Sequence, residues 1–372
     1  MLDLLIRGGQ IIDGSGNVGF YGAVGIEGET VRVLRGDVSQ IQAARTIDAS
    51  GQVVCPGFID FHAHSGLMIL AEPLHQPKVR QGVTTEVIGV DGCSYAPFKS
   101  QEDLQRFIDL NSGLDGRPEL PHRWSTVAEY LALFDEKVAV NICYLLGNSP
   151  LRIATVGWCN TPLGPHDLSN MKSLLREAME EGAWGMSTGL DYPPGDYAET
   201  DELVELSREA ARLGGIYHTH VRYRKGDMYL DPFMEALEIG RRSGIPAHIT
   251  HFYQSSITSR GGADGLLHMV EDARDKEGLD VTFDSYPVIL RQHPADHRPA
   301  GLGPGRRTRS GTPGHPLAGS ASTSAHRGRA ACPILERHLV DVLPPAAQSQ
   351  VRGPLGRRGG RDYGQGAHRR DL

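Results

Sequence analysis

The sequence predicts an α/β fold of the (β/α)8 TIM-type barrel class, preceded by a small β layer, on three observations. From Val53 onward, short apolar strands alternate with amphipathic helical stretches, the pattern of repeated βα units. The ends of several of these strands carry histidines and acids, which is where barrel proteins gather their chemistry. Before Val53 the chain reads instead as short strands separated by turn signals, with no helical period between them.

The β layer comes first. Asp3 to Ile12 is followed by Asp13-Gly14-Ser15-Gly16-Asn17, Ala23 to Ile26 by Glu27-Gly28-Glu29, and Val31 to Leu34 by Arg35-Gly36-Asp37. Strands this short and this closely spaced predict an antiparallel sheet over residues 1–54. The barrel strands are expected at Val53–His62, Val83–Val90, Val138–Leu146, Ala183–Thr188, Gly215–His220, Ile245–His251 and Leu279–Tyr286. Helices are expected between them at Leu168–Glu181, Glu202–Leu213 and Pro232–Ser243. Seven such strands over residues 55–289 are one short of a closed barrel, so strand eight is missing and the barrel is incomplete.

Charge divides the chain as sharply as pattern does. The 372 residues carry a formal charge of -7, but Leu290 to Leu372 holds 14 Arg, no Lys and 5 acids, about +9, which leaves -16 for the first 289 residues. The acidic front part gives no reason to expect nucleic-acid binding. No stretch approaches the ~20 apolar residues of a membrane span, and Asp3 interrupts the short apolar start, so neither a membrane nor a secretory segment is expected. Five scattered cysteines (55, 93, 143, 159, 332) lack paired or zinc-finger spacing, which suits a reducing cytoplasm. The tail over 290–372 is rich in Arg, Gly and Pro, with Tyr363 as its single aromatic residue other than histidine, and reads as disordered. It also has the composition of GC-rich DNA read out of frame. Arg291 to Pro299 can be written in codons that, read one base later, give Gly-Ser-Thr-Pro-Leu-Ile-Ile-Gly, an apolar strand-compatible stretch.

The chemistry sits in four places. His62 and His64 are two apart after an apolar run, so strand alternation turns both rings to one side. Gly82 to Ser94 forms a second strand ending in Asp91 and Cys93, either of which could ligate a divalent metal. Strand five ends in His218-Thr219-His220 and strand six in His248-Ile249-Thr250-His251. His220 and His251 stand last in each group and are the preferred ligands, while His218 and His248 fall nearer the strand interiors. Zn2+, as one ion or two, would lower the pKa of a bound water toward ~7 and polarise a carbonyl.

Together these blocks resemble the metal-dependent amidohydrolase superfamily, and within it the N-acyl-D-amino-acid deacylases (D-aminoacylases). The resemblance rests on Asp3 to Gly9 with Asp13 to Gly16, Pro56 to His64, Gly82 to Pro97, Gly189 to Gly195, His220-Val221-Arg222 and Ile249-Thr250-His251, over residues 1 to about 289. It implies a barrel with a small β-sandwich-like domain, zinc, and hydrolysis of a small-molecule N-acyl amino acid. It implies His62, His64, His220 and His251 as ligands and, in place of the Cys of the usual Asn-Cys-Gly, Asp91, with Cys93 as the alternative. Tyr192 and Arg222 are expected at the substrate, Arg222 as a fork for a carboxylate. Phe252 replaces the polar or basic residue that often meets that carboxylate in the family. The strand-eight aspartate that serves the family as ligand and general base has no counterpart, because Asp296, Glu336, Asp341, Asp362 and Asp371 all lie in the wrong context. The expectation is therefore an impaired hydrolase with no identifiable catalytic acid or base. A cyclic-amide hydrolase of dihydroorotase or hydantoinase type is the alternative within the superfamily. Those enzymes commonly carry a carboxylated Lys on strand four, and Ala183–Thr188 has no Lys. The alternative outside it is a non-catalytic metal-binding remnant with a basic tail.

Overall fold

In the computed structural model, residues 1–120, 123–253 and 262–285 are described, and residues 1–285 form one compact unit. The basic tail, and with it the reading-frame argument and the tail acids, lies outside the described residues.

The chain opens with β1 (Leu2–Ile11), β2 (Phe20–Glu27), β3 (Thr30–Leu34), β4 (Ala43–Asp48) and β5 (Val53–Val54), which make one sheet in the order β3-β2-β1-β4 with β5 also on β1. The hairpins β1–β2 and β2–β3 are antiparallel as expected, but β4 and β5 both run parallel to β1. The sheet is therefore mixed, and β4, with its alternation broken by Arg45 and Thr46, was not foreseen.

The expected strand Val53–His62 is two strands. Val53 and Val54 pair with the N-terminal sheet, whereas β6 (Phe58–Asp60) pairs with the next strand of the α/β part. Cys55-Pro56-Gly57 separates them, and Pro56 has no N–H to give a ladder. After the short turns α1 (Met68–Ala71) and α2 (Gln76–Val79) come β7 (Val83–Ile88), α3 (Gln101–Asp115), α4 (Val127–Leu131), β8 (Asn141–Tyr144), β9 (Leu146–Gly147), α5 (Asn148–Val156), α6 (Pro165–Glu180), β10 (Gly185–Gly189), α7 (Thr200–Arg212), β11 (Ile216–His220), α8 (Asp231–Ser243), β12 (Ala247–Ile249), α9 (Gly262–Asp275) and β13 (Val281–Phe283).

Every pairing from β6 onward is parallel, in the orders β6-β7-β8 and β9-β10-β11-β12-β13. β8 and β9 are two halves of one bent strand: Leu145 lies between them and its N–H still bonds to the Ile88 carbonyl. Seven parallel strands thus follow one another, each overlapping a range expected from the sequence. Parallel strands need crossover helices, and α6, α7 and α8 supply them with one buried stripe each, including Leu175, Leu203, Leu206, Phe233 and Ile239. Among the described residues β6 and β13 have one neighbour each, and Phe58, Ile59 and Phe283 beside these edges remain exposed. No helix of the described residues is long and apolar enough to cross a membrane.

Candidate metal centre

The C-terminal ends of β6, β7, β11 and β12 deliver His62, His64, Asp91, His220 and His251 to one point. Four ring nitrogens surround a single oxygen, Asp91 Oδ2: His251 Nε2 at 3.2 Å, His62 Nε2 at 3.4 Å, His64 Nε2 at 3.6 Å and His220 Nδ1 at 3.7 Å. The ring nitrogens of His62 and His64 are themselves 3.1 Å apart. Asp91 with His220 and His251, and Asp91 with His62 and His64, each form a group compact enough to hold a metal ion. A third such group is His62, His218 and Asp284.

Backbone conformation turns Asp91, and not Cys93, toward the histidines. Asp91 is left-handed at φ 54° and Gly92 at φ 69°, a turn that swings the carboxylate into the cluster. His251 is also left-handed, at φ 50°. Non-glycine residues in that region are uncommon and collect at functional sites. The turn is crowded: a Cβ on Gly92 would lie 2.7 Å from Gly189 N, one on Gly189 2.1 Å from the Asp91 carbonyl oxygen, and one on Gly147 2.3 Å from the Gly92 carbonyl oxygen. Cys93 points elsewhere, with its sulfur 3.4 Å from the Asp91 carbonyl and 3.5 Å from Asn111 Oδ1. Burial, aided by the nearby Asp115 and Asp91 carboxylates, pushes its thiol well above the ordinary value, which disfavours the thiolate a metal needs.

Charge in the cluster is tightly coupled. Burial opposes the ionised form of Asp91, but His62, His251 and His64 outweigh it and hold the carboxyl well below the usual range. Burial likewise opposes charging of His62 and His64, yet the carboxylates beside them prevail: Asp91 and Asp284 raise His62 to about 9, and Asp115 and Asp91 raise His64 to about 10. His251 stays below the ordinary histidine value because its burial is the larger effect.

Two carboxylates were missed by sequence reasoning. Asp284 follows β13 and places Oδ2 3.3 Å from His62 Nδ1 and 3.1 Å from His248 Nε2, while Oδ1 accepts from the His251 N–H at 2.9 Å. It was missed because the expected strand ran on to Tyr286 and enclosed it, whereas β13 ends at Phe283 and leaves Asp284 just past the strand end. Asp115 lies 2.8 Å from His64 Nδ1 through Oδ1. Its signal was an acid on the buried stripe of α3, in register with Leu104, Ile108 and Asn111.

The remaining expected residues divide. His218 and His248 are packed: His218 Nε2 is 3.2 Å from the Phe61 carbonyl, and the two rings stack with centroids 5.0 Å apart. Tyr192 sits at the cluster, its hydroxyl 3.4 Å from His220 Nδ1, beside Asp191 Oδ2 at 3.5 Å from His220 Nε2. Arg222 is placed otherwise than expected. Its Nη1 donates to the Asp196 carbonyl at 2.6 Å, its Nη2 to the Ala198 carbonyl at 2.7 Å, and its Nε faces Glu235 at 3.4 Å. A fork already engaged by these three acceptors ties the loop after β10 to α8, and the geometry does not support its meeting a substrate carboxylate.

No family model matches the chain. Among curated proteins it is similar to a D-aminoacylase of Alcaligenes xylosoxydans xylosoxydans, at 35% identity over 288 residues, covering 77% of this chain and 57% of the relative. It is equally similar to an N-acyl-D-glutamate deacylase of the same organism, at 35% identity over 287 residues, again 77% of this chain and 57% of the relative. Among solved structures, the N-acyl-D-glutamate deacylase of Bordetella bronchiseptica complexed with zinc and a phosphonate inhibitor superposes with a TM-score of 0.67 at 31% identity, over 77% of this chain and 59% of that one. The chain thus spans less than two thirds of the length of the proteins it matches. Over the residues that align, the chain is similar to D-aminoacylase, whose own solved structure, at a TM-score of 0.66 and 31% identity, is described as defining a subset of amidohydrolases.

Proposed function

We propose that the cluster around Asp91 holds zinc, as one ion or two, and that the chain acts on the linear amide of N-acyl-D-amino acids, releasing the D-amino acid and a carboxylate. The observation that carries this is the convergence of four imidazole nitrogens on one carboxylate oxygen at 3.2–3.7 Å. Nitrogen and carboxylate oxygen donors at this density suit zinc, which would take the place of the protons that His62 and His64 carry in the metal-free chain. When bound, the ion would supply Lewis acidity and an activated water.

The chain's own residues then have distinct tasks. His62, His64, Asp91, His220 and His251 are the proposed ligands, held by the left-handed turns at Asp91 and His251. Tyr192, with its hydroxyl beside His220, is the proposed substrate contact. The general-base role has no assigned residue, so turnover is expected to be impaired. The division into a β domain (1–54), a barrel of seven staves (55–289) lacking its eighth, and an aberrant tail (290–372) belongs to the same proposal. It is supported by the separate sheet of β1–β5 and the seven parallel strands that follow. A cytoplasmic location also belongs to it, in keeping with four free cysteines among the described residues. The cyclic-amide alternative has less support: β10 reads Gly-Met-Ser-Thr-Gly, without a lysine to carboxylate.

The test is to load the purified chain with zinc and follow release of free D-amino acid from N-acetyl-D-amino acids, with the L-enantiomers and a hydantoin as controls. Chelator-sensitive release from the D-series supports the reading. Zinc uptake with hydrolysis of the hydantoin alone, or no zinc uptake, overturns it.

A further inference from the structure

His64 is gripped from outside the cluster by a buried carboxylate to which the proposed function gives no task. Asp115 is the last residue of α3 and is 3% exposed. Its Oδ1 is 2.8 Å from His64 Nδ1, and its Oδ2 accepts from the Tyr95 hydroxyl at 2.5 Å. Tyr95 is buried in turn, and the Trp124 ring N–H donates to its carbonyl at 2.6 Å, pinning the loop that carries it. Among the described residues the ion-pair partner recorded for Asp115 is His64.

A carboxylate only accepts hydrogen bonds, and one of the two donors here is the Tyr95 hydroxyl. The other must be His64 Nδ1–H. That assignment leaves Nε2, 3.1 Å from His62 Nε2 and 3.6 Å from Asp91 Oδ2, as the ring nitrogen that would give up its proton to a cation. Packing alone offers no reason for an acid at this place. The stripe of α3 that Asp115 continues is otherwise filled by Leu104, Phe107 and Ile108, and a buried charge costs several kcal/mol unless a partner compensates it.

We propose that Asp115, itself held by Tyr95, is a positioning residue that fixes the tautomer and ring plane of His64 so that Nε2 faces a divalent cation. The inference rests on the zinc reading above. Carboxylates that hold the far nitrogen of a ligating histidine are a general means of raising its basicity and holding its orientation, and removing one typically weakens metal binding by about 10- to 100-fold.

The experiment measures zinc dissociation constants of the full-length protein by competition with a chromophoric chelator at fixed pH. The chains compared are wild type, Asp115→Asn, Asp115→Ala, Tyr95→Phe, His64→Ala and the double variant of Asp115→Asn with His64→Ala. Asp115→Asn is isosteric and keeps an acceptor, so it guards against loss of the fold, which circular dichroism of each metal-free variant checks. The expected result is about 10-fold weaker binding for Asp115→Asn, up to about 100-fold for Asp115→Ala, and a smaller loss for Tyr95→Phe. In the cycle, the effect of Asp115→Asn should vanish once His64 is gone, because the carboxylate acts through that ring. A structural role would instead lower thermal stability and leave the zinc constant unchanged, or would persist undiminished in the His64→Ala background; either result overturns the proposal while leaving the centre intact. A wild-type chain that takes up no zinc would overturn both readings together.

Discussion

Gly189→Ala should disarm the metal centre without touching a proposed ligand. Gly189 ends β10, and a Cβ there would lie 2.1 Å from the Asp91 carbonyl oxygen and 2.9 Å from its carbonyl carbon. Real Cβ atoms do not approach so closely, so the Asp91 peptide must retreat by about 1 Å to restore van der Waals contact. It cannot retreat freely, since Gly92 beyond it is held between Gly147 and Asn148. Metal–ligand distances tolerate about 0.2 Å, so a 1 Å shift of the one carboxylate shared by four histidines is several times too large. Overpacking should cost roughly 1–3 kcal/mol of stability, and zinc affinity should fall at least about 100-fold, the upper end of what loss of a ligand's support costs. The control is Gly240→Ala in α8, where the new methyl would sit at an ordinary 3.6 Å from Ala247 Cβ. A helix-interior Gly→Ala exchange there should be neutral or stabilising by up to about 1 kcal/mol. Thermal melts and chelator competition on both variants decide the matter. A Gly189→Ala protein that binds zinc like wild type would refute the argument that this close approach sets the position of Asp91.

Three further predictions follow from the same geometry. Arg222→Ala should lower stability by roughly 2–4 kcal/mol, because two loop carbonyls and Glu235 lose a charged donor, while the KM of any measurable deacylation stays unchanged; a raised KM at unaltered stability would restore the substrate-carboxylate role. Zinc uptake near pH 7.5 should release about one to two protons per ion, because His62 and His64 in the metal-free chain are raised to about 9 and about 10 and must lose protons to ligate. Calorimetry in buffers of different ionisation enthalpy reads this number, and uptake without release would contradict it. Resequencing the DNA around codons 286–294 should reveal a one- or two-base correction that restores an apolar Gly-Ser-Thr-like strand followed by a Ser-Asp-Gly context; confirmation of the sequence as it stands would make the basic tail a genuine product.

The sequence by itself determined the succession of parallel strands and the residues at their ends. A strand–helix alternation and the two-residue period of a strand are local properties, so His62, His64, Asp91, His220 and His251 could be singled out before any fold was known. Short-range signals also separated the front of the chain from its tail. What the sequence could not decide is where a side chain turns once its strand has ended. Asp91 and Cys93 are two residues apart and equally plausible on paper; a left-handed peptide at Asp91, permitted by three glycines packed against it, sends one inward and leaves the other against Asn111. Arg222 lies two residues after His220 in sequence yet bends away to the loop after β10, because nothing in a strand's period governs the residues beyond its last ladder bond. β4 escaped notice because its place is set by pairing with β1 across forty residues rather than by its own pattern. Asp115 is 51 positions from His64, and only the tertiary fold brings the end of α3 to the residues after β6. Distances of that kind belong to the tertiary structure alone, since chain connectivity sets which residues are neighbours along a strand but packing sets which meet across the mouth.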